Sequence, residues 1–377
     1  MINTLKTNVQ LHLKNLLGWK TNRKILVLAV DDYGNVRVDS KEARERMDQA
    51  GLEVPLRFDA YDAMENREDL EILYETLDSV KGKNGEHAKV TAFSVPCNID
   101  YDRMVEEDYQ EYRYELLPQT FKKLADRDDK AYSGTWDLWK KGMDEGYLMP
   151  QFHGREHISL KVLNEKLAKR DPEILTVLKN RSYTSISSTG YATIDWSAAF
   201  DFWKLEETLN FGPIIEDGLN AFEKVFGFRS VYFNAPGQPE HSSLHQHLHR
   251  NGIKYLDTPF IKNEHLGEGQ FRKEINYIGK KNKLGMIYNI RNVLFEPCED
   301  RGFDWVNYTL KQIEVAFRMK HPAVISSHRV NYCGHISVEN RKKGLSDLKR
   351  LLKEVKKRWP DIEFMNSVEL MDLVSQK

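Results

Sequence analysis

The chain has 377 residues, 40% of them hydrophobic and 30% charged, an ordinary soluble globular composition with ample material for a core. Lysine plus arginine (56) and aspartate plus glutamate (57) cancel, so no overall field draws nucleic acid or an acidic substrate, and any electrostatic selectivity must be local. Cys97, Cys298 and Cys333 are far apart and form no C-x-x-C, which excludes a disulfide framework and a thiolate zinc site and fits a reducing compartment.

Residues 1–24 carry Lys6, Lys14, Lys20, Arg23 and Lys24 and no acid. Leu5, Leu13, Leu16 and Leu17 fall on one helical stripe that ends at Trp19. This predicts a basic, helical N-terminal extension over 1–23, either packed on the body of the protein or in peripheral contact with a membrane surface. No apolar run reaches the length of a membrane span, and the N-terminus lacks the continuous apolar stretch of a secretory signal, so a cytoplasmic protein is expected.

From residue 24 onward, short apolar runs alternate with longer amphipathic ones. Strands are predicted at 24–31, 89–95, 147–152, 183–188, 230–234, 254–256, 285–290, 323–327 and 362–365. Helices are predicted at 160–169, 215–226, 304–318 and 337–357. This alternation implies an α/β fold with a parallel sheet: one distorted, TIM-like (β/α) barrel of about seven or eight strands over 24–377. The stretches 40–88 and 98–145 are dense in charge and tyrosine and are read as insertions on the functional side, with helices near 66–80 and 103–125.

Apolar runs that should end on one face of such a barrel end in reactive groups. KILVLAV runs into Asp31-Asp32, YLMPQF into His153 and the string HGREH, SVYF into Asn234-Ala235-Pro236-Gly237, KYL into Asp257, and AVISS into His328. Two adjacent carboxylates repel, so one of them needs a partner. Asp32, His153 and His157 can supply that partner by holding a divalent cation facially, with positions left open for water and substrate, while Asp31 stays free as a base.

VLAVDDYG, FHGREH, VYFNAPGQ, Asp257 and ISSHR resemble, in order, the five motifs of the polysaccharide deacetylases, the NodB homology or carbohydrate esterase family 4 group. KVTAFSV, the segment leading to HGREH, and WPDIEFMNSVELMD resemble the connecting strands and helices, so that the likeness spans about residues 25–375. The resemblance implies metal-dependent removal of an N- or O-linked acetyl group from a carbohydrate. Asp31 would be the base, Asp32, His153 and His157 the metal ligands, and His328 the general acid, tuned by an acid such as Asp257. The cation would be zinc, with iron, nickel and cobalt compatible with the same donors. A backbone N–H near Asn234 to Gly237 would help to hold the oxyanion, with Asn234, Pro236, Gly237 and Arg155 facing the substrate. One departure matters: where the family's third motif carries an arginine that pairs with the catalytic aspartate, this chain has Asn234, and Gly237 replaces the aromatic that usually follows the proline. Another arginine, Arg155, Arg291 or Arg329, would then have to approach Asp31.

Two other readings are open. HGREH also fits the H-x-x-E-H zinc-peptidase motif with Glu156 as base, although Pro150 and Gly154 oppose the helix that motif requires. A barrel that binds sugar without turnover would also accommodate Asn234. The spacing of His241, His245 and His249 suggests one helix face, read as a solvent-facing helix against a second metal site, and Phe200, Phe202 and Trp203 are read as core packing against sugar stacking.

Overall fold

The computed structural model describes residues 12–52, 60–184, 186–237 and 240–376. In chain order the strands are β1 (Ile25–Tyr33), β2 (Val90–Ser94), β3 (Cys97–Ile99), β4 (Tyr114–Leu116), β5 (Leu148–Phe152), β6 (Tyr232–Phe233), β7 (Tyr255–Asp257), β8 (Ile261–Gly267), β9 (Gln270–Ile275), β10 (Ile287–Asn289), β11 (Val293–Leu294), β12 (Ala323–His328) and β13 (Glu363–Met365). The main sheet runs β10-β7-β6-β5-β2-β1-β12-β11, parallel throughout, and β13 pairs with the first residues of β1. The two end strands, β10 and β11, are consecutive in the chain. The stretch 287–294 therefore binds β7 with its first half and β12 with its second, and it curls the sheet into a distorted barrel.

Side-chain alternation sorts the two faces. Ile25, Val27 and Ala29 of β1 point inward with Phe93, Tyr232, Tyr255, Ile287 and Val324, and Leu370, Met371 and Val374 of the helix Ser367–Ser375 join them. Leu26, Leu28 and Val30 point outward, against an outer layer that includes Leu73, Trp139, Phe222, Ile313 and Leu352. Burial of each such aliphatic or aromatic side chain contributes roughly 1.5–3 kcal/mol.

The short strand β6 is completed by side chains. Gln151 Oε1 accepts from the Val231 and Tyr232 amides at 3.3 and 3.1 Å, and Ser230 Oγ accepts from the Phe152 amide at 3.0 Å. Asn292 does the same between the half-strands β10 and β11: its Oδ1 accepts from the Val324 amide at 2.8 Å and its Nδ2 donates to the Pro322 carbonyl at 2.9 Å.

Several expectations change. The described residues of the run 183–188 form no strand: Tyr183 donates its amide to the Arg37 carbonyl, and Ser182 just before it accepts from the Asp39 amide, outside the sheet. The polar stretches supply barrel helices. Arg67–Asp78, started by a capping box between Asn66 and Asp69, and Thr135–Asp144 each bury one face on the sheet, and their opposite charged faces explain the polar composition. The expected helix over 103–125 is broken by positive φ at Asp108 and Tyr109 and restarts at Leu117–Arg127, with proline in its first turn. The helix Pro172–Lys179 and the hairpin β8–β9 were not anticipated. Of the N-terminal extension, residues 1–11 lie outside the described residues; His12 and Leu13 are helical and the chain then runs through turns and bends. No helix among the described residues is long and apolar enough to cross a membrane.

Candidate active site

The inward rows of five strands lead into one cleft of about 780 Å³ at their C-terminal ends. Asp31 continues Ile25-Val27-Ala29, His153 follows Gln151 by two residues, Asn234 continues Tyr232, Asp257 continues Tyr255, and His328 continues Val324-Ser326; all five line the cleft. Simple alternation would turn Asp32 outward. Instead its φ is +72°, the β1–β2 register shifts between Val30 and Tyr33, and the second carboxylate turns into the cleft beside the first. Left-handed backbone at a non-glycine residue costs about 1–3 kcal/mol and persists only where the surroundings impose it.

Asp32, His153 and His157 are buried, and they offer ligand atoms that all lie within 4.8 Å of one another. Asp32 Oδ1 is 2.8 Å from His157 Nε2 and 3.5 Å from His153 Nε2. His153 Nδ1 lies 2.9 Å from the Asn234 carbonyl, which can only accept, so Nδ1 carries the proton and Nε2 is left as a bare donor atom aimed at Asp32. That Nε2 is buried without a hydrogen bond, as a ligand atom awaiting a cation would be. Two imidazoles and a carboxylate suit a divalent transition metal. Gly154 makes the turn between the histidines at φ +87°, where a Cβ would meet Pro236 at 2.8 Å.

Asp31 is held on both oxygens. Arg291 NH2 donates to Oδ1 and NH1 to Oδ2, each at 2.7 Å, and Asn234 Nδ2 donates to Oδ1 at 2.8 Å. Burial pushes this carboxyl up, but Arg291 prevails and holds it below the ordinary carboxylate range. Arg291, entering from the gap between β10 and β11, thus supplies the positive charge that Asn234 cannot. Its Nε donates to Asp257 Oδ2 at 2.6 Å, and the guanidinium lies 4.9 Å from the centroid of the Phe93 ring.

Asp257 is therefore not the partner of His328; it steadies Arg291, and burial lifts its own carboxyl to about 6 against the guanidinium's pull. The partner of His328 is Glu296, whose Oε1 lies 2.7 Å from Nδ1, while Nε2 faces Asp31 Oδ2 at 3.9 Å. Burial alone would depress the imidazole; Glu296, with Asp32 and Asp31, outweighs it and raises His328 to about 10. Asn331 Nδ2 in turn donates to Glu296 Oε2 at 2.6 Å. Sequence reasoning missed Glu296, although the apolar run VLF ends on it just as the other runs end on their reactive groups.

Other expected residues turn elsewhere. Arg155 does not reach the cleft: it pairs with Glu156 and Asp217 at 2.6 and 2.8 Å and lies over the Tyr114 ring. Glu156, bonded to Arg155 and Tyr112 in a non-helical turn, cannot act as a peptidase base in this cleft. Pro236 packs against Gly154, whereas Gly237 lines the cleft; the Asn234 amide is spent on the Phe152 carbonyl. Arg329 is fully buried, pairing with Asp62 at 2.5 Å and Glu65 at 2.9 Å. His241 and His245 are buried, beside Glu264 and Glu240, and only His249 is exposed, so the three do not form a solvent-facing row; Phe200 and Phe202 are core residues.

No protein-family model matches the chain, and no curated protein sequence matches it. Solved structures are similar to it. They include the probable polysaccharide deacetylase from Pseudomonas aeruginosa, at 8% identity over 94% of this chain and 92% of that one, with a TM-score of 0.47. An allantoinase matches at 10% identity over 94% and 91%, TM-score 0.46. A 4-alpha-glucanotransferase from Thermococcus litoralis matches at 10% identity, TM-score 0.45; the match covers 93% of this chain but only 40% of that longer enzyme.

Proposed function

We propose that this protein is a metal-dependent hydrolase that removes an acetyl group, in amide or ester linkage, from a carbohydrate. The observation that carries the reading is the placement of Asp31, clamped by Arg291 and Asn234, between the Asp32–His153–His157 cluster and His328. Asp32, His153 and His157 would hold the cation, zinc by preference, and the cation would supply Lewis-acid polarisation of the acyl carbonyl and of water. Asp31 accepts the proton of the attacking water: a carboxylate oxygen has two lone pairs, so Oδ2 still has an acceptor site while bonded to Arg291. His328, cationic at neutral pH through Glu296, donates its Nε2 proton to the departing amine or alkoxide. Asn234 ties the two halves together, since its carbonyl orients His153 and its amide orients Asp31.

The test is elemental analysis of the purified protein together with acetate release from acetylated sugars by the wild type and Asp31→Asn. Retained metal with turnover lowered by about a hundredfold or more in the variant is expected; unchanged turnover removes Asp31 from the mechanism. Arg291 at Asp31 supplies the charge whose absence from Asn234 motivated the reading of a non-catalytic barrel; bound metal with no acetate released from any acetylated glycan would favour that reading.

A further inference from the structure

The segment that leads into β1 forms part of the cleft wall: Leu13 and Lys14 line it together with Arg291 and Leu294. It is fastened there. Asn15, buried, accepts at Oδ1 from Asn292 Nδ2 at 2.7 Å; the Trp19 amide donates to the Ile278 carbonyl at 2.9 Å; and the Thr21 amide donates to the Lys320 carbonyl at 2.7 Å. Gly18, at φ +105°, lets the chain pass so close to Ile278 that a Cβ would meet its carbonyl at 2.6 Å.

The other cations of the cleft are matched within the protein. Arg291 has Asp31 and Asp257, Arg37 has Asp62 and Asp32, and His328 has Glu296. Lys14 has no carboxylate or hydrogen-bond partner among the described residues, and burial alone lowers its affinity for the proton. An ammonium partly withdrawn from water and left without a counter-charge is a standing cost that an anionic ligand would relieve.

We propose that Lys14 binds an anionic substituent, a carboxylate or a phosphate ester, carried by the acetylated sugar, and so makes the enzyme selective for acidic glycans. This rests on the deacetylase reading. It predicts that acetate release favours N-acetylglucosamine 1-phosphate or N-acetylglucosaminuronate over neutral N-acetylglucosamine by about tenfold or more in kcat/KM, expressed in KM. Lys14→Gln should bring that ratio close to one and Lys14→Arg should keep it; which of the two acids is preferred tells phosphate from carboxylate. A wild-type ratio near one, or a ratio that survives in Lys14→Gln, overturns the proposal. Should none of the sugars release acetate, the deacetylase reading fails, and calorimetric titration of the same three sugars decides this one. Tighter binding of an acidic sugar to the wild type, lost in Lys14→Gln, supports it; equal binding, or no binding at all, overturns it.

Discussion

Arg291 shows how a residue far from its expected place in the sequence can fill a needed role. The guanidinium fork spans both oxygens of Asp31 and still reaches Asp257, a geometry that an ammonium cannot reproduce. Arg291→Lys is therefore expected to keep metal content but to lower kcat/KM by about a hundredfold through misorientation of Asp31, as steady-state kinetics beside metal analysis would register. Glu296 sets the working range of His328. Its removal in Glu296→Gln should move the alkaline limb of the pH–rate profile down from the neighbourhood of 10 by at least about one unit, since the raising influence is gone and burial still depresses the imidazole. The sign for stability follows from the same shift. With the folded pKa above the unfolded value of 6.5, the pair stabilises fully below about pH 6.5 and loses that contribution as pH rises through about 10. Urea titrations of wild type and Glu296→Gln should converge at high pH. The strand-end residues Asp31, His153, Asn234, Asp257 and His328 were legible in the sequence because apolar runs end on them. The left-handed turn at Asp32 was not, because no residue pattern distinguishes an aspartate at positive φ from one in a strand.

At the scale of elements, the longer strands and helices declared themselves by period, and the failures cluster where side chains take over the work of the backbone. β11 has two residues, too few for any pattern to reveal, and the predicted run 230–234 shortens to the two residues of β6; both are stitched to their neighbours by Gln151, Ser230 and Asn292. Asn292→Ala removes an acceptor for the buried Val324 amide, a donor to the Pro322 carbonyl, and the anchor of Asn15. The expected cost is about 2–4 kcal/mol in urea unfolding, since buried backbone groups are left unpaired, with activity falling more than stability alone accounts for because Arg291 is adjacent. The run 183–188 misled for the opposite reason: it has strand composition, but Tyr183 bonds to the Arg37 carbonyl and Ser187 to Glu173 at the start of the helix Pro172–Lys179.

For the whole molecule, alternation of strand and helix was enough to indicate the barrel, while the stretches read as insertions also supply outer helices, whose one charged face hid them in the composition. The space beneath the functional face is also charged, and composition gave no sign of it: Arg329 sits fully buried between Asp62 and Glu65, with Arg37 completing the group. Arg329→Met should destabilise the fold by about 3–5 kcal/mol, because two carboxylates lose a cation that they cannot replace from water. The cation at Asp32–His153–His157 should act on the whole fold as well. At a hundred times its dissociation constant it adds about 2.7 kcal/mol, so thermal unfolding with and without chelator should differ in the wild type and coincide in His153→Ala.

The gap between β10 and β11 carries one further consequence. Arg291 faces the cleft only because the chain changes partners there, and no continuous ladder fixes its phase. Deleting Ile290 would swing the guanidinium to the outer surface while both flanking half-strands could still find their neighbours. Such a protein would fold, take up its cation, and do nothing.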